Sequence, residues 1–281
     1  MEPAPSNPSR WPRRALLGFA FLAPCLAFYL LRTNLVLALA PIFLSHVLLL
    51  YATLVANCQW WGPVLRSFET TEPEVWLTID DGPSPAHTVA MLDLLDRFQA
   101  RATFFVIGKR AEEYPHLLTE ILARGHEIAN HTYTHPSGMF WAAGPHRIAA
   151  EIDLCAELLR AAPDRPARFF RAPVGLKNVF VHPELDRRRL ALIGWTVRGL
   201  DTVRRDPAKV AARIAGAARP GAIVVLHEGQ RVARNPEFNP RCLELTLASL
   251  AEKGYRCVIP RPEQLRPRYY KPNVSRRNSK S

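Results

Sequence analysis

Cysteine is scarce in this chain and carries no pattern. Five occur in 281 residues, and only Cys155, Cys242 and Cys257 fall beyond residue 74. An odd number without paired spacing argues against a disulfide scaffold and against a cysteine metal site. Free thiols suit a reducing compartment, and small buried apolar side chains are the plain reading of all of them. Acidic residues are also short: 25 stand against 37 basic ones, for a net charge of +12 in which arginine far outnumbers lysine. Nucleic acid is the obvious partner for such charge, but neither an aromatic–basic stacking pattern nor a known binding module accompanies it. An arginine-rich proteome yields the same balance without meaning. A basic domain beside a membrane would instead rest on anionic headgroups, and Lys271, Arg276, Arg277 and Lys280 make the end cationic. No internal repeat is evident, which argues against a solenoid.

Apolar residues are concentrated near the start. After a polar stretch rich in Pro and Ser, one apolar run covers Ala15 to Leu31 and a second runs from Leu35 to about Ala56. A membrane span needs about 20 such residues. The second run is long enough and the first is at the lower limit; Pro24 and Pro41 are tolerated inside membrane helices. A small-residue cleavage site is missing, which argues against a signal peptide. The expectation is a helical hairpin in the membrane, turning at Arg32-Thr33-Asn34, with a single span over the second run as the alternative. Arg10, Arg13 and Arg14 precede the first run, so the N-terminus belongs in the cytoplasm. Two spans return the chain to the cytoplasm; one span sends it outside. His46, within the second run, is expected as a polar contact between helices.

From about Glu74, short apolar strands alternate with helical segments. Strands are expected at 75–79, 102–107, 127–129, 168–170, 191–197, 222–226 and 256–259. Helices are expected at 85–98, 111–124, 147–161, 207–217 and 240–253. Alternation of this kind implies a parallel α/β sheet, open or closed into a barrel, with its site at the carboxyl ends of the strands. The expected division is a disordered start (1–14), membrane segments (15–58), a linker (59–73), the α/β domain (74–262) and a basic flexible tail (263–281).

Polar clusters sit at those strand ends. The first is Asp80-Asp81-Gly82-Pro83 after Val75–Ile79. Adjacent acids on an extended chain point to opposite faces, yet a following turn brings both around one ion or water; the same run is also good turn chemistry. The second is His131-Thr132-Tyr133-Thr134-His135, where a spacing of four places both imidazoles on one side of a helical turn. With an aspartate from another strand they supply two nitrogens and one oxygen, the layout of an open catalytic metal site; two loop histidines are the plain alternative. The third is Arg171-Ala172-Pro173-Val174-Gly175, where an arginine can hold a carboxylate ionised. The fourth spans Trp195 to Asp201. The fifth is Leu226-His227-Glu228, a histidine placed to act as a general acid.

Together these motifs resemble the polysaccharide deacetylase family, the NodB-homology domain of carbohydrate esterase family 4, over about Glu74 to Ile259. The resemblance implies a distorted (β/α) barrel, here preceded by a transmembrane hairpin. It implies metal-dependent removal of an N-acyl group, N-acetyl in the family, from an amino sugar in a polysaccharide or lipid-linked glycan. By position, Asp81, His131 and His135 would hold the metal, usually zinc. Asp80 would be the base, Arg171 its orienting partner, the Val174 amide an oxyanion donor and His227 the acid. The implied setting is a bacterial cytoplasmic membrane with the domain facing the cytoplasm, an outward-facing domain being the alternative; membrane lipid and the N-acylated sugar are the partners, and nucleic acid is not. A non-catalytic sugar-binding or scaffold protein on the same fold is the competing function. The fourth motif departs from the family: Arg198 stands where an Asp that tunes the acid is customary, Asp201 matches a second acidic position, and Thr202 replaces an aromatic. Either Asp201 takes over the tuning role or Arg198 meets a negative substrate group. Glu228 replaces the usual Asp after the histidine.

Overall fold

A computed structural model describes residues 11–160, 167–229 and 236–265. The polar start before residue 11 and the cationic tail after 265 lie outside the described residues. Two helices come first, α1 (Trp11–Leu30) and α2 (Leu35–Leu54). The Asn34 side chain caps α2 by accepting from the Val36 and Leu37 amides at 2.7 and 3.4 Å. Both helices are apolar nearly all round: Phe21, Phe28, Val36 and Phe43 are each more than 70 % exposed. That is a pattern water does not tolerate on this scale, and both are long and apolar enough to cross a membrane. His46 bonds the Ile42 carbonyl of its own helix at 2.8 Å rather than bridging to α1.

Eight parallel strands follow. The central one is β1 (Glu74–Gly82), flanked on one side by β2 (Ala102–Val106), β3 (Glu127–Asn130), β4 (Phe169–Phe170) and β5 (Ala191–Leu192). On its other side lie β7 (Ala222–His227) and β6 (Val197–Arg198), while β8 (Arg256–Cys257) pairs with the start of β1. The sheet is a curled half-barrel. Alternation along β1 sorts its two faces. Val75, Leu77 and Ile79 face the helices α3 (Thr88–Arg97) and α9 (Phe238–Glu252) in one core. Trp76 turns to the concave side, with Phe105, Phe169 and Ile223. Thr78 and Asp80 follow the same parity, so the strand carries an acid to the concave mouth.

The barrel's open side is closed by the stretch 59–73, expected as a linker. Trp61, Val64, Leu65 and Phe68 are each at most 5 % exposed. The Leu65 amide donates to Leu192 O at 2.9 Å and the Phe68 amide to Gly221 O at 2.9 Å, joining the β5 and β7 sides.

Three points of secondary structure also differ from expectation. The helix expected over 111–124 is two, α4 (Gly108–Glu113) and α5 (Pro115–Ala123), because Pro115 forces the preceding residue off helical geometry. The strand expected over 191–197 is β5 and β6, because the chain crosses between sheet edges at Gly194. A Cβ at Gly194 would meet Asn57 Oδ1 at 2.3 Å, so only glycine lets that side chain approach. Helix α7 (Val181–Arg188), VHPELDRR, was not anticipated; it is short and charged. The remaining helices are α6 (Pro145–Leu159) and α8 (Pro207–Ala217).

Candidate active site

Asp80 ends the regular part of β1 and is 3 % exposed. Arg171, just past β4, donates from Nη1 to Asp80 Oδ1 at 2.5 Å and to Thr78 Oγ1 at 2.9 Å. Its Nη2 donates to Gly194 O at 2.9 Å, and its guanidinium lies 4.1 Å from the Phe105 ring centroid. The fork is thus fixed by strand neighbours on the concave face. A charge buried this deeply is held only by such pairing.

Asp81 leaves the strand with φ 70°, a left-handed conformation unusual for a residue with a Cβ. The twist swings its carboxylate toward the histidines: Oδ1 is 3.3 Å from His131 Nε2 and 3.2 Å from His135 Nε2. The three donor atoms lie within 4.8 Å of one another. Both histidines sit in a loop after β3, not on the helical turn expected for them. Thr132 and His135 have φ of 69° and 52°. Glu151, reaching from α6, accepts from the Tyr133 and Thr134 amides at 3.0 and 2.8 Å and pins the loop.

This donor set suits a divalent metal. His131 Nδ1 faces the Arg171 carbonyl at 2.9 Å. A carbonyl only accepts, so Nδ1 carries a hydrogen and Nε2 is the ring nitrogen aimed at Asp81. Burial, with His131 close by, pushes His135 down to about 4, leaving a neutral ring with a free lone pair at pH 7. Burial works to raise the Asp81 carboxyl, but the hydrogen bond and charge of His131 outweigh it and hold it well below the usual range. Two imidazoles and one carboxylate make an N₂O donor set of the kind found in open catalytic metal sites.

His227 ends β7 and is the in-register neighbour of Asp80 across the β1–β7 ladder. Asp201, almost fully buried, accepts from the His227 amide at 2.7 Å and lies 3.0 Å from its Nδ1. Burial works to lower this histidine; the charge and hydrogen bond of Asp201, with Asp80 and Asp81 adding, outweigh it and raise it to about 9. In the fourth motif Asp201 is the side chain that faces the histidine, and the Arg198 guanidinium lies 5.6 Å from the Trp195 ring centroid. Val174 adopts φ 49° in the turn Pro173–Gly175 and is 54 % exposed. Asp81, Thr132, His135, Val174 and Leu200 all have positive φ. Backbone strain of this kind concentrates at functional sites.

Sequence reading named Glu228 in the fifth motif without a role, and gave none to Thr78 or Glu151. Thr78 was legible only as a member of the concave set on β1. Glu228 is fully buried; its amide donates to Asp80 O at 2.9 Å, and Thr88 Oγ1 donates to its carboxyl at 2.6 Å. Burial pushes its carboxyl up to about 7. Gly82 makes room for it, since a Cβ there would come within 1.7 Å of Glu228 Oε1. No spacing rule signals Glu151, because its partner amides lie in a loop 17 and 18 residues earlier.

Comparison with known proteins agrees with this architecture. The family model described as Polysaccharide deacetylase matches residues 68–188. A chitooligosaccharide deacetylase of Sinorhizobium fredii is 37% identical over 161 residues, 57% of this chain and 74% of the relative. One from a Bradyrhizobium species is 38% identical over 198 residues, 67% of this chain and 89% of the relative. Among solved structures, a peptidoglycan N-acetylglucosamine deacetylase superposes with a TM-score of 0.65 at 25% identity, covering 74% of this chain and 95% of the other. Identity at this level across most of the relatives' length, on a shared fold, means that this chain belongs to the polysaccharide deacetylase family.

Proposed function

We propose that this protein is a membrane-anchored, zinc-dependent hydrolase that removes N-acetyl groups from amino sugars. One observation carries the reading: Asp81, His131 and His135 converge on one point beside an aspartate held by a buried arginine. Family membership and relatives named for chitooligosaccharide and peptidoglycan N-acetylglucosamine support it.

Asp81, His131 and His135 would hold a zinc ion, which when bound would supply Lewis-acid polarisation of the amide carbonyl and acidify a water. Asp80 takes the proton from the attacking water. Arg171 bonds one of its oxygens and fixes its direction. The Val174 amide donates to the oxygen that becomes negative as water adds to the carbonyl carbon. His227, bonded through Nδ1 to Asp201, holds its transferable proton on Nε2 and gives it to the sugar nitrogen as the C–N bond breaks. Acetate and a free amino sugar leave. A scaffold role is disfavoured because base, acid and metal donors are all in place.

The anchor reading rests on α1 and α2. Arg13 and Arg14 stand at the end of the hairpin that bears the domain, and Arg32 at the turn. The positive-inside bias favours a domain in the cytoplasm, where membrane-held sugars are within reach. The test is acetate release from penta-N-acetylchitopentaose by purified full-length protein. Asp80→Asn and His131→Ala are each expected to abolish it while the fold persists; activity in folded His131→Ala would refute the metal assignment.

A further inference from the structure

The end of the hairpin packs against the loops that carry the third and fourth motifs. Lys177, six residues after Arg171, is fully buried, and its Nζ donates to the carbonyls of Ala56 and Val55 at 2.6 and 3.2 Å, just beyond α2. Asn57 Nδ2 donates to Trp195 O at 2.8 Å. A Cβ on Gly175, beside Val174, would meet Ala56 Cβ at 2.6 Å. Val179 packs into the cluster of Leu16, Ala52, Cys58 and Trp61 at the hairpin base, with Leu48 and Leu49. Loops of the third and fourth motifs therefore rest directly on the point where α2 stops.

Two large apolar side chains near this junction are exposed. Phe180, next to Val179, is 41% exposed, and Met139 is 58% exposed. Asn178 ties the two regions, donating to the carbonyls of Trp141 and Ala143 at 2.9 and 2.8 Å. Tyr51, near the end of α2, and Trp60 pair at 5.0 Å, and such aromatics favour the headgroup zone. The length of α2 fixes how far this rim stands from the hydrocarbon, so one occupant follows: the bilayer in which the hairpin sits.

We infer that the pocket mouth lies against the membrane surface and takes an N-acetyl amino sugar carried on a membrane lipid in preference to a diffusing polymer. This rests on the anchored-deacetylase reading and names its substrate class. Apolar side chains on the rim would hold the mouth at headgroup depth, where a sugar on a lipid phosphate is concentrated and a long polymer is not.

The experiment uses full-length protein in vesicles of phosphatidylethanolamine and phosphatidylglycerol, with two readouts. First, cysteine replaces Met139, Phe180 or, as a distant exposed control, Glu252; each is labelled with a fluorophore and challenged with nitroxide-labelled lipid or aqueous iodide. Lipid quenching at 139 and 180 but not at 252 is expected. Iodide quenching of all three alike, without lipid quenching, overturns the surface whatever the activity. Second, acetate release is compared for polyprenyl-phosphate-linked N-acetylglucosamine and for penta-N-acetylchitopentaose. A kcat/KM higher by roughly tenfold or more is expected for the lipid-borne sugar. Met139→Asp with Phe180→Asp is expected to remove that advantage, since charge resists insertion, and to leave the soluble sugar unaffected. Equal or better turnover of the soluble sugar overturns the substrate class. Lipid quenching with hydrolysis of neither sugar upholds the surface and overturns the deacetylase reading.

Discussion

At the residue scale, Asp80 and Asp81 separate because their backbones differ. Asp80 keeps the pleat of β1 and meets Arg171; Asp81 turns to φ 70° and meets two histidines. The pair Asp80–Arg171 is buried, so removing one partner strands the other. Arg171→Met is expected to cost about 3–5 kcal/mol in urea unfolding at pH 7. Asp80→Asn combined with Arg171→Met is expected to recover part of that loss; an undiminished loss would argue that Arg171 matters only by packing. His227 carries the pH dependence. Its folded value near 9 lies above the ordinary 6.5, so the stability from its pairing with Asp201 is complete below about 6.5 and disappears as pH rises through about 9. The acid form is lost over the same interval, and kcat/KM is expected to fall on that limb. Asp201→Asn removes the attraction, so the limb is expected to move to lower pH with rate reduced about 10²–10⁴-fold. A pH profile unchanged in Asp201→Asn would show that another group sets the limb. The types and spacing of these residues were legible in sequence. Asp201 was open against Arg198 because spacing cannot say which side chain of a short irregular loop turns toward a neighbouring strand.

At the scale of elements, what sequence revealed depended on periodicity. Helix α8 coincides with its expected bounds because Asp206 caps it, Pro207 starts it and its apolar stripe is regular. Helix α7 was missed because a short charged segment shows too few apolar positions to register a period. Strands β5 and β6 were merged because hydropathy records burial, and the crossing at Gly194 is buried as the strands are. The turn after β1 offers a direct test. Gly82→Ala would press a methyl group against Glu228, and the turn bearing Asp81 would have to shift. Metal affinity is expected to drop by about 10–100-fold, the range for disturbing the supports of a ligand. Calorimetric zinc titration measures it; wild-type affinity would show that the turn absorbs the methyl without moving Asp81.

At the scale of the molecule, the stretch 59–73 looked like a connector because it lacks a repeating pattern, yet Leu65 and Phe68 close the half-barrel. Their contacts are long-range, so local sequence carries no sign of them. Leu65→Ala and Phe68→Ala are each expected to lower stability by about 2–5 kcal/mol in denaturant unfolding of the full chain. Values near zero would mean that the barrel holds without its closing segment. The same stretch joins α1 and α2 to the half-barrel, so on the proposed anchor reading the hairpin is part of the enzyme's architecture as well as its tether.

The proposed hydrolysis requires that Asp81, His131 and His135 hold a zinc ion. Acetate release from penta-N-acetylchitopentaose can be followed while zinc is returned to chelator-stripped full-length protein. No release is expected in the stripped protein, with recovery that saturates at one zinc per chain and no recovery in His131→Ala. Undiminished release from the stripped protein, or recovery in His131→Ala equal to wild type, would contradict it.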